Sequence, residues 1–314
     1  MIFVRPPEPG GTSIYRMINR RELVRNGFRQ LQSDIISALE ACDGKGHFST
    51  ETWERPGGGG GITRLLTGGN VIEKGGVNFS AVFGETPDAI RTGFGIGAGE
   101  FFASGVSIVI HPHNPWVPII HMNVRYFELS DGDAWFGGGI DLTPAYVNHQ
   151  DGVAFHSALK NTCDRFHADW YPKFKINADR YFTIRHRKES RGIGGIFYDR
   201  LNAARDQDFE QLWDFSLAVG NTFVPVYTSL MEKYRDKAFG EKEKSWQLHR
   251  RARYVEFNLV YDAGTKFGLE TGGRIESILM SMPPMARWES NYEPQAGSEE
   301  YQSQQYFFNP VEWI

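Results

Sequence analysis

From residue 57 to residue 143 the chain alternates short β-prone segments with glycine runs, and this punctuation limits the possible folds. The segments ITRLL (62–66), VIEK (71–74) and VNFSAVF (77–83) are separated by Gly-Gly pairs and read as a meander of antiparallel strands. Further strands are expected at 106–110, 121–129, 134–142 and 254–260. In the last, Val255, Phe257 and Leu259 alternate with Tyr254, Glu256 and Asn258. Apolar residues at helical spacing (Leu23, Phe28, Leu31, Ile35, Leu39) predict a helix over 20–42, and two longer helical tracts cover 149–181 and 208–233. Strands and helices come in separate runs without βαβ alternation, so the expected fold is α+β on a mostly antiparallel sheet. No repeat and no stretch of linker composition divides the chain, so one domain is expected over 19–314, after a flexible N-terminal arm at 1–18.

A net charge of -4 offers no general attraction for nucleic acid or an anionic membrane, so any anionic ligand must be held locally. Cys42 and Cys163 are too few for a disulfide framework and form no CxxC pair, which suits a reducing compartment. The opening MIFVRPPEPGGTS lacks the basic start and apolar core of a secretory signal. No apolar run approaches the ~20 residues of a membrane-spanning helix. A cytoplasmic location is expected. Eight Trp and a 14% aromatic content serve core packing first, and also suit a surface for a large flat ligand.

The run GGGGG at 57–61 is not followed by Gly-Lys-Ser/Thr and is not a phosphate loop. GFGIGAG at 93–99 lacks the βαβ setting and the acidic residue of a dinucleotide site. Both are read as tight turns and points of close backbone approach beside a ligand. FGGGIDLTP (136–144) differs in carrying a lone Asp141 on an otherwise apolar strand, a position disfavoured unless the carboxylate is satisfied.

The stretch SIVIHPHNPWVPIIHMNVRYF (107–127) holds His111, His113 and His121, three of the nine histidines. In extended conformation Ser107, Val109, His111 and His113 share one face, as do His121, Asn123, Arg125 and Phe127. Pro112, Pro115 and Pro118 must interrupt the ladder between them. Two antiparallel neighbours would then present Ser107, His111, His121, Asn123 and Arg125 to one cleft, with Arg125 able to clamp a carboxylate. Three uses fit these residues. The histidines could join His156 and His186 around Zn, Mn or Cu. One histidine could move a proton while Arg125 positions an anionic substrate. Or they are polar residues satisfied at a sheet edge.

The same residues belong to a longer pattern. WERPGGGG (53–60), GGVNFS (75–80), HPHNPWVPIIHMNVRYF (111–127), WFGGGIDLTP (135–144), RHRKESRGIGGIFYD (185–199) and RRARYVEFNLVYDAGTKFGLETGGRIESILMSMPP (250–284) resemble, in order, the oxygen-dependent coproporphyrinogen III oxidases. The resemblance implies a large flat seven-stranded antiparallel sheet covered by helices on both faces, and a homodimer formed through 254–289. It implies conversion of two propionates of coproporphyrinogen III to vinyl groups, with O2 consumed and CO2 released, giving protoporphyrinogen IX in haem biosynthesis. By the family pattern Ser107, Asn123, Val124, Arg125, Gly272, Gly273 and Arg274 bind substrate, and His121 is the proton donor. Some members lie in the mitochondrial intermembrane space, an alternative to the cytoplasm.

Those residue types suit a substrate with four carboxylates. Arg125 and Arg274 are natural clamps, and Gly272 and Gly273 would let backbone N–H groups approach an anion. The four pyrrole N–H groups call for a carboxylate acceptor, Asp141 or Asp262; the resemblance points to Asp141, which the family's glycine-aspartate block surrounds, while Asp262 could simply initiate the turn DAGT. Relatives that bind a divalent cation do so at the positions of His111, His121, His156 and His186, all present here. Other relatives are regarded as working without metal or organic cofactor, and the resemblance to them implies a mechanism with no required cofactor, in which the porphyrinogen itself supplies electrons to O2; the absence of nucleotide, flavin or Cys-rich motifs is consistent with it. A tetrapyrrole carrier without turnover and a metallohydrolase are the alternatives from other classes.

Overall fold

A computed structural model describes residues 9–88, 91–92, 97–203, 206–270 and 273–314. Helix α1 (Pro9–Asp43) leads into six consecutive strands: β1 (Ser49–Glu54), β2 (Gly59–Thr67), β3 (Ile72–Glu85), β4 (Glu100–Pro112), β5 (Ile119–Leu129) and β6 (Ala134–Thr143). Helices α2 (His149–Asp164) and α3 (Trp170–Tyr181) follow, then a small hairpin of β7 (Thr183–Ile184) and β8 (Glu189–Ser190). Strand β9 (Gly195–Asn202) returns beside β6 and completes a seven-stranded sheet, β1-β2-β3-β4-β5-β6-β9, in which every neighbouring pair is antiparallel. The chain ends in α4 (Phe209–Tyr234), α5 (Glu241–Val260), α6 (Ala263–Glu270), α7 (Ile275–Leu279) and α8 (Glu299–Phe308).

Register separates the sheet into two chemically different faces. One row pairs Val77, Ile108, Met122, Ile140 and Ile196 in successive strands, and the next pairs Phe79, Val106 and Val124. These side chains are buried in the main core together with Phe28, Leu31 and Ile35 of α1 and Phe215, Val219 and Phe223 of α4. Removing that much apolar surface from water, at ~25 cal/mol per Å2, is what fixes the sheet's parity. The intervening rows point the other way. Asn78, Ser107, Asn123 and Gly139 form one, and Gly76, Val109, His121 and Asp141 form another. Residues from α5 and from the segment around α7 cover this second face: Tyr254 packs on Val109 and Ile119, and Asn78 donates to the Ser277 carbonyl.

The α+β antiparallel architecture agrees with the sequence, while several boundaries differ. Segment 254–260 is not a strand but the end of α5. Tyr254, Phe257 and Asn258 are buried and Leu259 and Val260 exposed, a 3–4 residue periodicity that continues from Trp246, His249, Arg250 and Arg253 upstream. Segments 71–74 and 77–83 are one strand, because Gly75 and Gly76 do not turn the chain; a Cβ on Gly76 would lie 2.3 Å from the Met280 sulfur. Tract 149–181 is two helices, α2 and α3. Helix α1 begins at Pro9, inside the segment expected to be an arm, and residues 1–8 lie outside the described residues. Of the glycines at 93–99, Gly93 and Gly95 lie outside them too. Gly57, Gly58 and Gly59 take φ of 113°, 126° and 77° and make the tight β1–β2 turn expected of them, but the close approach, of Gly58 and Gly59, is to Phe83, Ala81 and Val82 of β3 and not to the cavity on the second face of the sheet.

Candidate active site

The polar face of the sheet forms the floor of a cavity of about 850 Å3, within the range of small-molecule sites. Ser107, His121, Asn123 and Arg125 rise from β4 and β5, and Gly105 and Gly139 leave the floor low. Tyr181, Arg191, Asn258, Asp262, Arg274 and Ile278 close the cavity from the helical side. Aromatic rings contribute too, including Phe127, Trp135 and Phe197.

Strand pairing places His121 directly opposite Asp141, and His121 Nδ1 lies 2.8 Å from Asp141 Oδ1. Both carboxylate oxygens of Asp141 also accept from Arg191 Nη2, at 2.8 and 2.7 Å. Burial alone would raise the Asp141 carboxyl. The Arg191 guanidinium and the His121 hydrogen bond outweigh it and hold the group below the usual carboxylate range. An ionised Asp141 only accepts, so His121 Nδ1 carries the hydrogen and Nε2 is left for exchange with a ligand. Arg191 is itself fixed by Asn258, to which Nη1 donates at 2.6 Å, and by the rings of Phe182, Tyr254 and Phe257 within 4.4–4.7 Å of its Cζ.

Asp262 has a different setting. Its Oδ2 accepts from the Thr265 N–H at 2.7 Å, capping the start of α6, and its Oδ1 accepts from the Tyr181 hydroxyl at 2.9 Å. It therefore initiates a turn, as its sequence context allowed, and also faces the cavity. Arg125 donates to Asn123 at 3.1 Å and to Asp199 at 2.9 Å. Arg274 reaches the hydroxyls of Thr63 and Ser277 at 3.3 Å and pairs with Glu51.

Comparison with known proteins identifies the family. Residues 23–313 match the family model for coproporphyrinogen III oxidase. The chain belongs to that family. It is 50% identical over 301 residues to the oxygen-dependent coproporphyrinogen-III oxidase, chloroplastic, of Glycine max, which covers 91% of this chain and 77% of the relative. It is 49% identical, with the same coverage, to coproporphyrinogen-III oxidase 1, chloroplastic, of Arabidopsis thaliana.

Within this coproporphyrinogen oxidase fold, the expected site residues divide. Ser107, His121, Asn123, Arg125, Asp262 and Arg274 meet at the cavity. Val124 does not: strand parity sends its side chain into the apolar core, fully buried. Gly273 N–H is committed to the Gly268 carbonyl at 2.8 Å and is not available to an anion, and Gly272 lies outside the described residues. Asp141 is drawn beneath the cavity wall by Arg191 and does not face the cavity, which disfavours it as the direct acceptor for pyrrole N–H groups that the family's glycine-aspartate block suggested. Asp262 occupies the wall instead.

The four histidines of the expected metal set are not gathered either. His111 is fully buried against Tyr254, with Nε2 on the Ser281 carbonyl at 2.8 Å; burial and the nearby Arg251 lower its pKa to about 3. His156 lies between Tyr171 and the Ile193 carbonyl, its pKa lowered by burial to about 4. His186 is exposed and bound to Glu256 and Tyr261. Among the described residues no three His, Cys, Asp or Glu side chains form a metal-binding group, so the donor set does not fit the cation. Sequence reasoning missed Arg191, Tyr181 and Asp199. Each acts through a partner at least 50 positions away, which leaves no local signature.

Proposed function

We propose that this cavity carries out the family reaction, the O2-dependent conversion of two propionates of coproporphyrinogen III to vinyl groups, giving protoporphyrinogen IX. The observation that carries the assignment is one cavity holding Arg125, Arg274, the Asp262 carboxylate and the Asp141-oriented His121. The arginines bind propionates, Asp262 accepts from the pyrrole N–H groups and stabilises positive charge as the ring is oxidised, and His121 Nε2 handles a proton. Ser107 and Asn123 add hydrogen bonds along the floor. Each conversion releases CO2 together with two electrons and a proton from the propionate chain, and O2 takes up the electrons.

No metal or organic cofactor is required in this mechanism, since the electron-rich porphyrinogen is itself the reductant. The test uses chelator-treated protein with coproporphyrinogen III, in air and without O2. Vinyl product is expected only in air and without added metal. Restoration of activity solely by a divalent cation would refute the cofactor-free part, and no product under any condition would refute the oxidase assignment and leave a carrier.

Homodimerisation through 254–289 is supported by exposed Leu259, Val260, Leu269, Ile275, Met285 and Trp288 in that segment. The native protein is expected at twice the mass of one chain in light scattering, and the pair Leu259→Glu and Ile275→Glu should shift it to monomer. An unchanged dimer in that variant would place the interface elsewhere. Among the described residues no helix is long and apolar enough to cross a membrane. A reducing compartment, the cytoplasm, is supported by the free buried thiols of Cys42 and Cys163. The plant relatives carry "chloroplastic" in their names, and fractionation of the source cells distinguishes the two.

A further inference from the structure

Each of the three arginines on the cavity wall among the described residues is already matched by a carboxylate of the chain. Arg191 has Asp141, Arg125 has Asp199 and Arg274 has Glu51. The pairs differ in how readily they separate. Arg191 and Asp141 are each 2% exposed and locked by further hydrogen bonds. In the other two, Arg125 and Asp199 are 40% and 42% exposed, and Arg274 and Glu51 26% and 59%. Such wetted pairs contribute little and break at small cost.

The Arg125–Asp199 pair is moreover a built contact. The β6–β9 register shifts between Phe136 and Gly138, and the next residue after Asp199, Arg200, takes a left-handed φ of 54°. A bulge of this kind re-aims a side chain from its strand. Room for the pair comes from Gly137, where a Cβ would stand 2.7 Å from Asp199 Oδ1 and 2.8 Å from Arg125 Nε. A side chain at 137 would therefore collide with both partners at once.

We propose that Asp199 and Glu51 are exchangeable counter-carboxylates, which hold Arg125 and Arg274 in the unliganded protein and yield them to ligand carboxylates. This rests on the assignment of the cavity to a tetracarboxylate macrocycle. Its consequence is specificity. A ring with four carboxylates can displace both internal partners, whereas the product, with two carboxylates fewer, competes with them less well and leaves. Asp199 and Glu51 thus set the discrimination between substrate and product without touching the reacting atoms.

Coproporphyrin III, the oxidised ring with the same four carboxylates, is a suitable probe because it binds without turnover. In fluorescence titrations at fixed salt, D199N is expected to lower its Kd two- to fivefold, the range that an exposed ion pair can contribute. The effect should vanish in an R125Q background, and E51Q should behave likewise against R274Q. Weaker or unchanged binding by D199N would overturn the exchange and make Asp199 a support for Arg125. Equal tightening with and without Arg125 would overturn it as well, since a general field effect then suffices. Failure of the wild-type protein to bind the probe would instead refute the assignment of the cavity.

Discussion

Arg191→Met is expected to lose about 3–5 kcal/mol of folding stability and nearly all turnover, although Arg191 is not one of the proposed propionate clamps. The cause is Asp141. With Arg191 removed, a carboxylate side chain 2% exposed retains, among the described residues, only His121 as a partner and must either stay charged in a poorly solvating interior or take up a proton. The pH dependence distinguishes these states. In the wild-type protein the folded-state pKa of Asp141 is depressed, so its contribution is present above the unfolded value near 4 and is lost as pH falls. In the variant the folded pKa lies above the unfolded one, so stability should decline as pH rises above about 4. Urea unfolding at several pH values measures both slopes. The double change Arg191→Met with Asp141→Leu should recover most of the stability and none of the turnover, because His121 still lacks its orienting partner.

Asp262→Asn should have the opposite profile, with little effect on folding and a large one on rate. Asparagine can still accept from the Thr265 N–H and cap α6, so the melting temperature is expected to change by no more than a few degrees. The charge facing the pyrrole N–H groups is lost. Preorganised groups of this kind contribute about 10²–10³-fold each, and kcat/KM for coproporphyrinogen III should fall by that factor. Wild-type kinetics for Asp262→Asn would remove it from the ring centre.

The contrast between these aspartates also shows how far the sequence could be read. Strand parity correctly grouped Ser107, His121, Asn123 and Arg125, because a period of two follows directly from chain geometry and the opposite row is visibly apolar. The same parity failed for His111. It shares the face but sits where the segment after α7 covers the sheet, and its ring is consumed by the Ser281 carbonyl. Asp141 was correctly marked as a carboxylate needing satisfaction, yet its partner Arg191 stands 50 positions away, and only the fold shows that the partner draws it under the wall. The 254–260 segment was misread because seven residues of alternating polarity fit either period. The preceding turns of α5, with Trp246, His249, Arg250 and Arg253 buried, decide for the helix.

A crystal structure of the protein with coproporphyrin III bound tests the central claim most directly. The macrocycle is expected on the glycine floor at Gly105 and Gly139, with its nitrogens at hydrogen-bonding distance from Asp262 and propionates on Arg125 and Arg274. A ring bound elsewhere, such as the groove between α2 and α4 lined by Phe155, Arg165 and Lys233, would contradict it.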